Sequence, residues 1–159
     1  MTTATTAFHS RGPEGHPDAR SIREPLGGGV WAISLWARDR EPIFYGLTAT
    51  GAGLNGLGRL VRQAWLDLAS AYPGIILDEF VILPDHLRAV VHIPANAEAG
   101  AIGRIIGRLK NSCARAAHAA GLTGRSPLLE TGFEGFLIKG PDELAFWRRM
   151  IRAGIGTRE

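Results

Sequence analysis

The stretch DEFVILPDHLRAVVHIP, residues 78 to 94, places a histidine and an arginine two positions apart in an apolar run. On a β-strand, residues two apart share a face and lie about 7 Å from one another, so His86 and Arg88 point the same way. A pair of imidazoles at that spacing would converge on one divalent ion. Arginine breaks the pattern: its guanidinium stays protonated, offers no lone pair and repels a cation. His92 shares the face of His86, yet six residues at ~3.3 Å each put it roughly 20 Å away. Asp78 and Glu79, on the preceding strand, are the other residues placed to ligate a metal, and with Arg88 beside them an ion pair is the simpler outcome. Without a second ligand His86 reads either as a residual metal position or as a hydrogen-bonded residue at a strand start. Cys113 is the sole cysteine, which excludes an internal disulfide and any multi-cysteine zinc site.

A second constellation is basic. In AIGRIIGRLKNSCARAAHAAG, from Ala101 onward, Arg104, Arg108, Asn111, Arg115 and His118 fall within one sector of roughly 80° on a helix, while Ile102, Ile105, Ile106, Leu109, Cys113 and Ala116 point the other way. No acid interrupts this helix, whereas a solvated face normally mixes signs. An anion-binding face and an ordinary solvent face are the two readings. Arg148, Arg149 and Arg152 add positive charge near the C-terminus, and Trp147 is spaced to pack with Leu144 and Ile151. The glycine-rich GAGLNGLG lacks the Lys-Ser/Thr of a phosphate-binding loop and reads as a loop and breaker.

These groups need a scaffold. At 159 residues and 45% hydrophobic, the chain suits one globular domain. No apolar run approaches the ~20 residues of a membrane span and the start has no secretory pattern, so a soluble, cytoplasmic protein without a membrane partner is expected. Residues 1–99 hold eight arginines and ten acids, and residues 100–159 hold ten Lys/Arg and five acids, giving −2 and +5. Sixteen of the eighteen basic residues are arginine, whose planar fork suits phosphate, although high G+C coding produces the same excess.

Residues 1–26, rich in Thr, Gly, Pro and charge, read as a mobile arm, and residues 27–159 as the folded domain. Two strands (VWAISLWA and IFYGLT) precede a helix from Leu57 to Tyr72. Two antiparallel strands follow around Pro84-Asp85, then a helix over 101–120, a strand in GFEGFLIKG, and a final helix opening at Pro141 and closing on Gly154. The order ββαββαβα predicts an α+β fold, an antiparallel sheet with packed helices.

Taken together, LDEFVILPDH, AIGRIIGRLKNSCARA and GFEGFLIKGPDELAFWRRMI resemble the REP-associated tyrosine transposases and their insertion-sequence relatives, of the HUH class of single-strand endonucleases. The resemblance runs from about Pro25 to Gly154. It implies a ferredoxin-like or RRM-like sandwich, a bacterial origin, and a DNA partner, hairpin or single-stranded. It also implies a Pro-Asn-His-x-His strand holding Mg²⁺ or Mn²⁺, and a helix whose tyrosine attacks the phosphate while an Asn or Gln one turn later completes the ligand set.

Here His86 matches the first histidine, Arg88 stands at the second, Met150 at the tyrosine and Gly154 at the final ligand. A thioether cannot form a phosphotyrosine-like ester, and neither tyrosine, Tyr45 or Tyr72, lies on that helix. Arg88 would then either keep a phosphate where the family keeps its metal or pair with Asp78, Glu79 or Asp85. The expectation is DNA binding through Arg104, Arg108, Asn111, Arg115, His118, Arg88, Arg148 and Arg152, with cleavage lost and no cofactor. The alternatives are a nicking enzyme with a rearranged Mg²⁺ or Mn²⁺ site, and a non-binding remnant or protein-interaction module. Monomer and homodimer both remain open.

Overall fold

A computed structural model describes residues 28–122 and 127–154; the arm assigned to residues 1–26 lies outside them. Six strands and three α-helices alternate as β1 (Gly29–Trp36), β2 (Tyr45–Thr48), β3 (Gly51–Leu54), α1 (Gly56–Ala71), β4 (Ile76–Leu83), β5 (His86–Ile93), α2 (Ala101–Ala119), β6 (Glu134–Ile138) and α3 (Pro141–Arg152). The main sheet is antiparallel throughout, in the order β4-β5-β1-β6. With α1 and α2 as the crossovers this is the split βαβ arrangement of ferredoxin-like folds, as expected.

Alternation along β1 sorts the core into two layers. Trp31, Ile33 and Leu35 join Leu87, Ala89, Val91 and Ile93 of β5 against Val61, Trp65 and Leu68 of α1 and Ile102, Ile105, Ile106, Leu109 and Cys113 of α2. Burial pushes the Cys113 thiol up to about 12, as befits a packed core side chain. On the opposite face Ala32, Val90, Phe136 and Ile138 meet Trp147 and Ile151 of α3. Burying each of those two helix side chains is worth about 1.5–3 kcal/mol, which fixes α3 over the second face.

One sequence expectation is corrected. Gly51 to Leu54, read as part of a loop, pair with Tyr45 to Thr48 in a separate two-stranded sheet. Gly51 has φ +118°, a conformation open to glycine, and so lets the chain reverse over Ala49 and Thr50. The Asn-Gly that follows starts a helix. Asn55 Oδ1 accepts the Gly58 N–H at 2.8 Å, and its Nδ2 donates to the Ile43 and Tyr45 carbonyls at 2.9 and 3.1 Å. A Cβ at residue 58 would lie 2.4 Å from the Phe44 carbonyl oxygen, so only glycine fits that approach.

Candidate functional site

The face of the sheet under α3 changes character toward one end. Beyond Ala32, Val90 and Phe136 comes a polar row: Ser34 of β1 pairs with Arg88 of β5 on one side and Glu134 of β6 on the other. One step further Trp36 pairs with His86. Directly paired residues share a face, so these five side chains form one patch. Ser34, His86, Arg88 and Glu134 are the buried polar and charged residues among those described.

Arg88 is 3% exposed, and its guanidinium carbon lies 5.5 Å from the centre of the Trp147 ring of α3. Burial pushes its pKa down and the Glu134 carboxylate pushes it back up. Glu134, on the same face, is the carboxylate whose charge acts on Arg88. Asp85, Asp78 and Glu79 have other partners: Asp85 accepts His86, Asp78 accepts Arg148 and His92, and Glu79 accepts Arg152. The reason lies in β4, whose register against β5 shifts between Leu77 and Phe80. That bulge leaves Asp78 and Glu79 to the arginines of α3.

His86 is 2% exposed. Its Nδ1 is 2.8 Å from Asp85 Oδ1, and its ring stacks on Trp36 with centroids 4.0 Å apart. Its Nε2 is buried without a hydrogen-bond partner. Burial pushes the imidazole pKa down, the Asp85 hydrogen bond opposes this, and the Arg88 charge adds to it. Trp36 also receives the Arg40 guanidinium at 3.9 Å, and Arg40 reaches Glu134 at 3.7 Å and Glu130 at 3.6 Å. A chain of contacts thus leads from His86 through Trp36 and Arg40 back to Glu134. Asp39 and Arg40 adopt φ of 57° and 56° in a short 3-10 turn, a left-handed backbone that side chains seldom take up.

The helix over this patch carries Met150, half-buried, and ends at Arg152. Gly154 lies past the helix with φ +68° and donates its N–H to the Ile151 carbonyl, so the position matched to a ligand is a helix terminus here. Arg148 grips Asp78 with two hydrogen bonds, 2.9 and 2.6 Å, and His92 Nε2 reaches the same carboxylate at 2.7 Å. The Arg148 hydrogen bond, against burial and with help from His92, holds Asp78 well below the usual carboxylate range. Arg152 pairs with Glu79 at 2.9 Å. These two arginines fasten α3 to β4.

The donor set does not fit a divalent ion. His86 offers one free nitrogen, Arg88 two residues on is a cation, and no three His, Cys, Asp or Glu side chains cluster as a metal needs among the described residues. Tyr45 donates its hydroxyl to the Ile82 carbonyl at 3.0 Å, and Tyr72 sits beyond the end of α1.

On α2 the sectors fall as the spacing predicts. Arg104, Arg108, Asn111, Arg115 and His118 are all exposed. Arg104 meets Glu98 at 3.3 Å, and the Arg108 guanidinium lies 5.9 Å from the Tyr72 ring centre. The apolar sector differs in one residue: Ala117, not Ala116, is the buried alanine. Lys110, which the sequence did not single out, donates to the Glu130 and Gly132 carbonyls and so ties α2 to the segment leading into β6. Burial pushes its pKa down to about 8. Ser34, Trp36, Arg40 and Glu134 were equally unmarked. The polar Ser34 inside the apolar β1, and Glu134 at the start of β6, were the available signal.

No protein-family model matches the chain. A stretch of 65 residues is 32% identical to an uncharacterized protein of Haemophilus influenzae, covering 41% of this chain and 36% of that protein, so the match spans about a third of the relative's length. The fold is similar to that of a REP-associated tyrosine transposase solved bound to a REP hairpin, with a TM-score of 0.61 and 18% identity over 83% of this chain and 69% of that one. A candidate transposase from Deinococcus radiodurans R1 is similar at a TM-score of 0.51 and 16% identity, over 85% and 97% of the two chains. At these identities the likeness establishes a transposase-like fold.

Proposed function

We propose that the chain binds hairpin or single-stranded DNA on a tyrosine-transposase scaffold of the HUH class, from which strand cleavage has been lost. Arg88 carries this reading. It is a fixed positive charge buried on the strand face where the resemblance calls for a metal-binding histidine, and the Glu134 carboxylate on the same face favours its charged form. A cation bound beside it would be repelled, and Met150 on the covering helix has no oxygen with which to attack phosphorus. DNA binding is supported by the exposed acid-free face of α2 and by the fold it shares with a transposase solved on a hairpin.

A second reading, an interaction module without a nucleic-acid role, is favoured at one place. Arg148 and Arg152 are matched by Asp78 and Glu79, so α3 offers a phosphate less charge than its sequence suggests. One experiment separates these readings from an active nicking enzyme: incubation of the protein with labelled hairpin and single-stranded oligodeoxynucleotides, with and without Mn²⁺. Saturable binding with intact DNA and no covalent adduct is expected. A gel-stable, protease-sensitive protein–DNA species would restore the enzyme, and no binding to any oligonucleotide would favour the interaction module.

A further inference from the structure

Three element ends meet on the α1–α2 side of the molecule: the Tyr72-Pro73-Gly74 turn after α1, Pro94 after β5, and the start of α2. They enclose an open groove of about 270 Å³. Ile75 and Ile105 form its floor, and Tyr72, Pro94, Ala97 and Ala101 form its walls. Drug-sized ligands fill pockets of about 300–1,000 Å³, so this space suits one ring system and is too small for a helix or a folded peptide.

The rim is cationic on one side. Arg104 lines the groove, and Arg108 follows one helical turn later, about 6 Å along α2. The Arg108 guanidinium lies over Tyr72, so one aromatic ring serves both as groove wall and as platform for an arginine of the basic face. The groove holds one acid, Glu98, whose side chain is 85% exposed and pairs with Arg104 at 3.3 Å. A phosphate at that place would compete with it for Arg104. An apolar slot wide enough for one ring, opening onto two arginines, is the arrangement that single-strand binding uses: a base enters by its apolar face and its phosphates stay with the cations. A paired and stacked base cannot enter, because only unpaired bases splay out.

We propose that this groove seats one unpaired base of single-stranded DNA, with Arg104 and Arg108 holding the adjoining phosphates. This rests on the DNA-binding reading and adds to it a site for the base. Contact by apolar walls makes the slot tolerant of base identity, since every base presents a π face.

The test uses the full-length protein and hairpin oligodeoxynucleotides with a short single-stranded flank, the hairpin fixing the register, the flank carrying 2-aminopurine at one position, or an abasic site at the same position, scanned along it. At one position the abasic strand should bind about tenfold more weakly than the strand with a base, within the range stacking losses span, and 2-aminopurine emission there should change on binding. Ala97→Phe, in the loop before α2, fills the slot. It should abolish the emission change and make the variant indifferent to the abasic site. Tyr72→Ala, which removes a wall, gives an independent arm should Ala97→Phe misfold by circular dichroism. If base and abasic strands bind equally at every position while Arg104→Ala/Arg108→Ala still weakens binding, the slot is refuted and the DNA-binding reading stands. If no strand binds at all, both fall.

Discussion

Arg88 and Glu134 flank Ser34 on one face of the sheet, each on a strand that pairs with the same residue of β1. Both residues are buried, Arg88 beside Trp147 of α3, and the carboxylate's charge works against the cost of burying the guanidinium. This face of the sheet thus holds a buried cation together with an acid whose charge favours it.

Removing the Glu134 charge leaves the buried Arg88 guanidinium without the carboxylate that favours its charged form. Glu134→Gln should lower stability by about 1–3 kcal/mol, the usual cost of leaving a buried polar group poorly matched. Arg88→Met in the same background removes the stranded guanidinium and should recover most of the loss. Urea denaturation of the single and double variants checks this, and a double variant no more stable than Glu134→Gln would refute the coupling.

Arg88→His should place two imidazoles on one strand face, with Glu134 two strands away on the same side. Measurable Mn²⁺ affinity by calorimetry is the expected outcome. Hairpin DNA should remain uncut and free of adduct, because residue 150 is still methionine. Equal Mn²⁺ affinity in the unaltered protein would show that Arg88 does not exclude the ion.

Much of this arrangement was legible in the sequence, and what was missing is long-range. Helix α1 was expected from Leu57 to Tyr72 and runs Gly56–Ala71; α2 was expected over 101–120 and runs Ala101–Ala119. Local periodicity carries such information. It does not carry the register that brings Glu134 beside Ser34, nor the β4 bulge that gives Asp78 to Arg148, 70 residues away. The left-handed turn at Asp39 and Arg40 was hidden for another reason: Asp tolerates a positive φ but adopts it in a minority of cases, and arginine does so seldom.

Acid should weaken the fold through His86. Burial holds its folded pKa below the ordinary 6.5, with Asp85 opposing and Arg88 reinforcing, and Glu134 on the same face also opposing. Below pH 6.5 the unfolded chain therefore binds more protons than the folded one, so stability rises with pH up to about 6.5 and then levels from this group. Asp78 lies well below its ordinary 3.8 and loses its contribution only in stronger acid, outside that window. Urea midpoints between pH 5 and 8 should fall on the acid side, and His86→Phe, which keeps a ring against Trp36, should flatten the profile. An unchanged slope in that variant would assign the effect elsewhere.

The basic face of α2 should set the salt dependence of DNA binding. Arg104, Arg108 and Arg115 are exposed on one side of a helix that contains no acid. If each neutralises one phosphate of a single strand, at about 0.7 counterions per phosphate, together they contribute roughly −2 to the slope of log K against log salt. Replacing all three with alanine should weaken binding at low salt and flatten the slope by about that amount. The fold should survive, since the buried side chains Ile102, Ile105, Ile106 and Leu109 are untouched and alanine favours the helix. Arg104 already pairs with Glu98, so its single replacement should cost less than that of Arg115. Fluorescence anisotropy across a salt series measures the slope, and circular dichroism confirms folding. A folded triple variant with the original slope would place the DNA on another surface of the molecule.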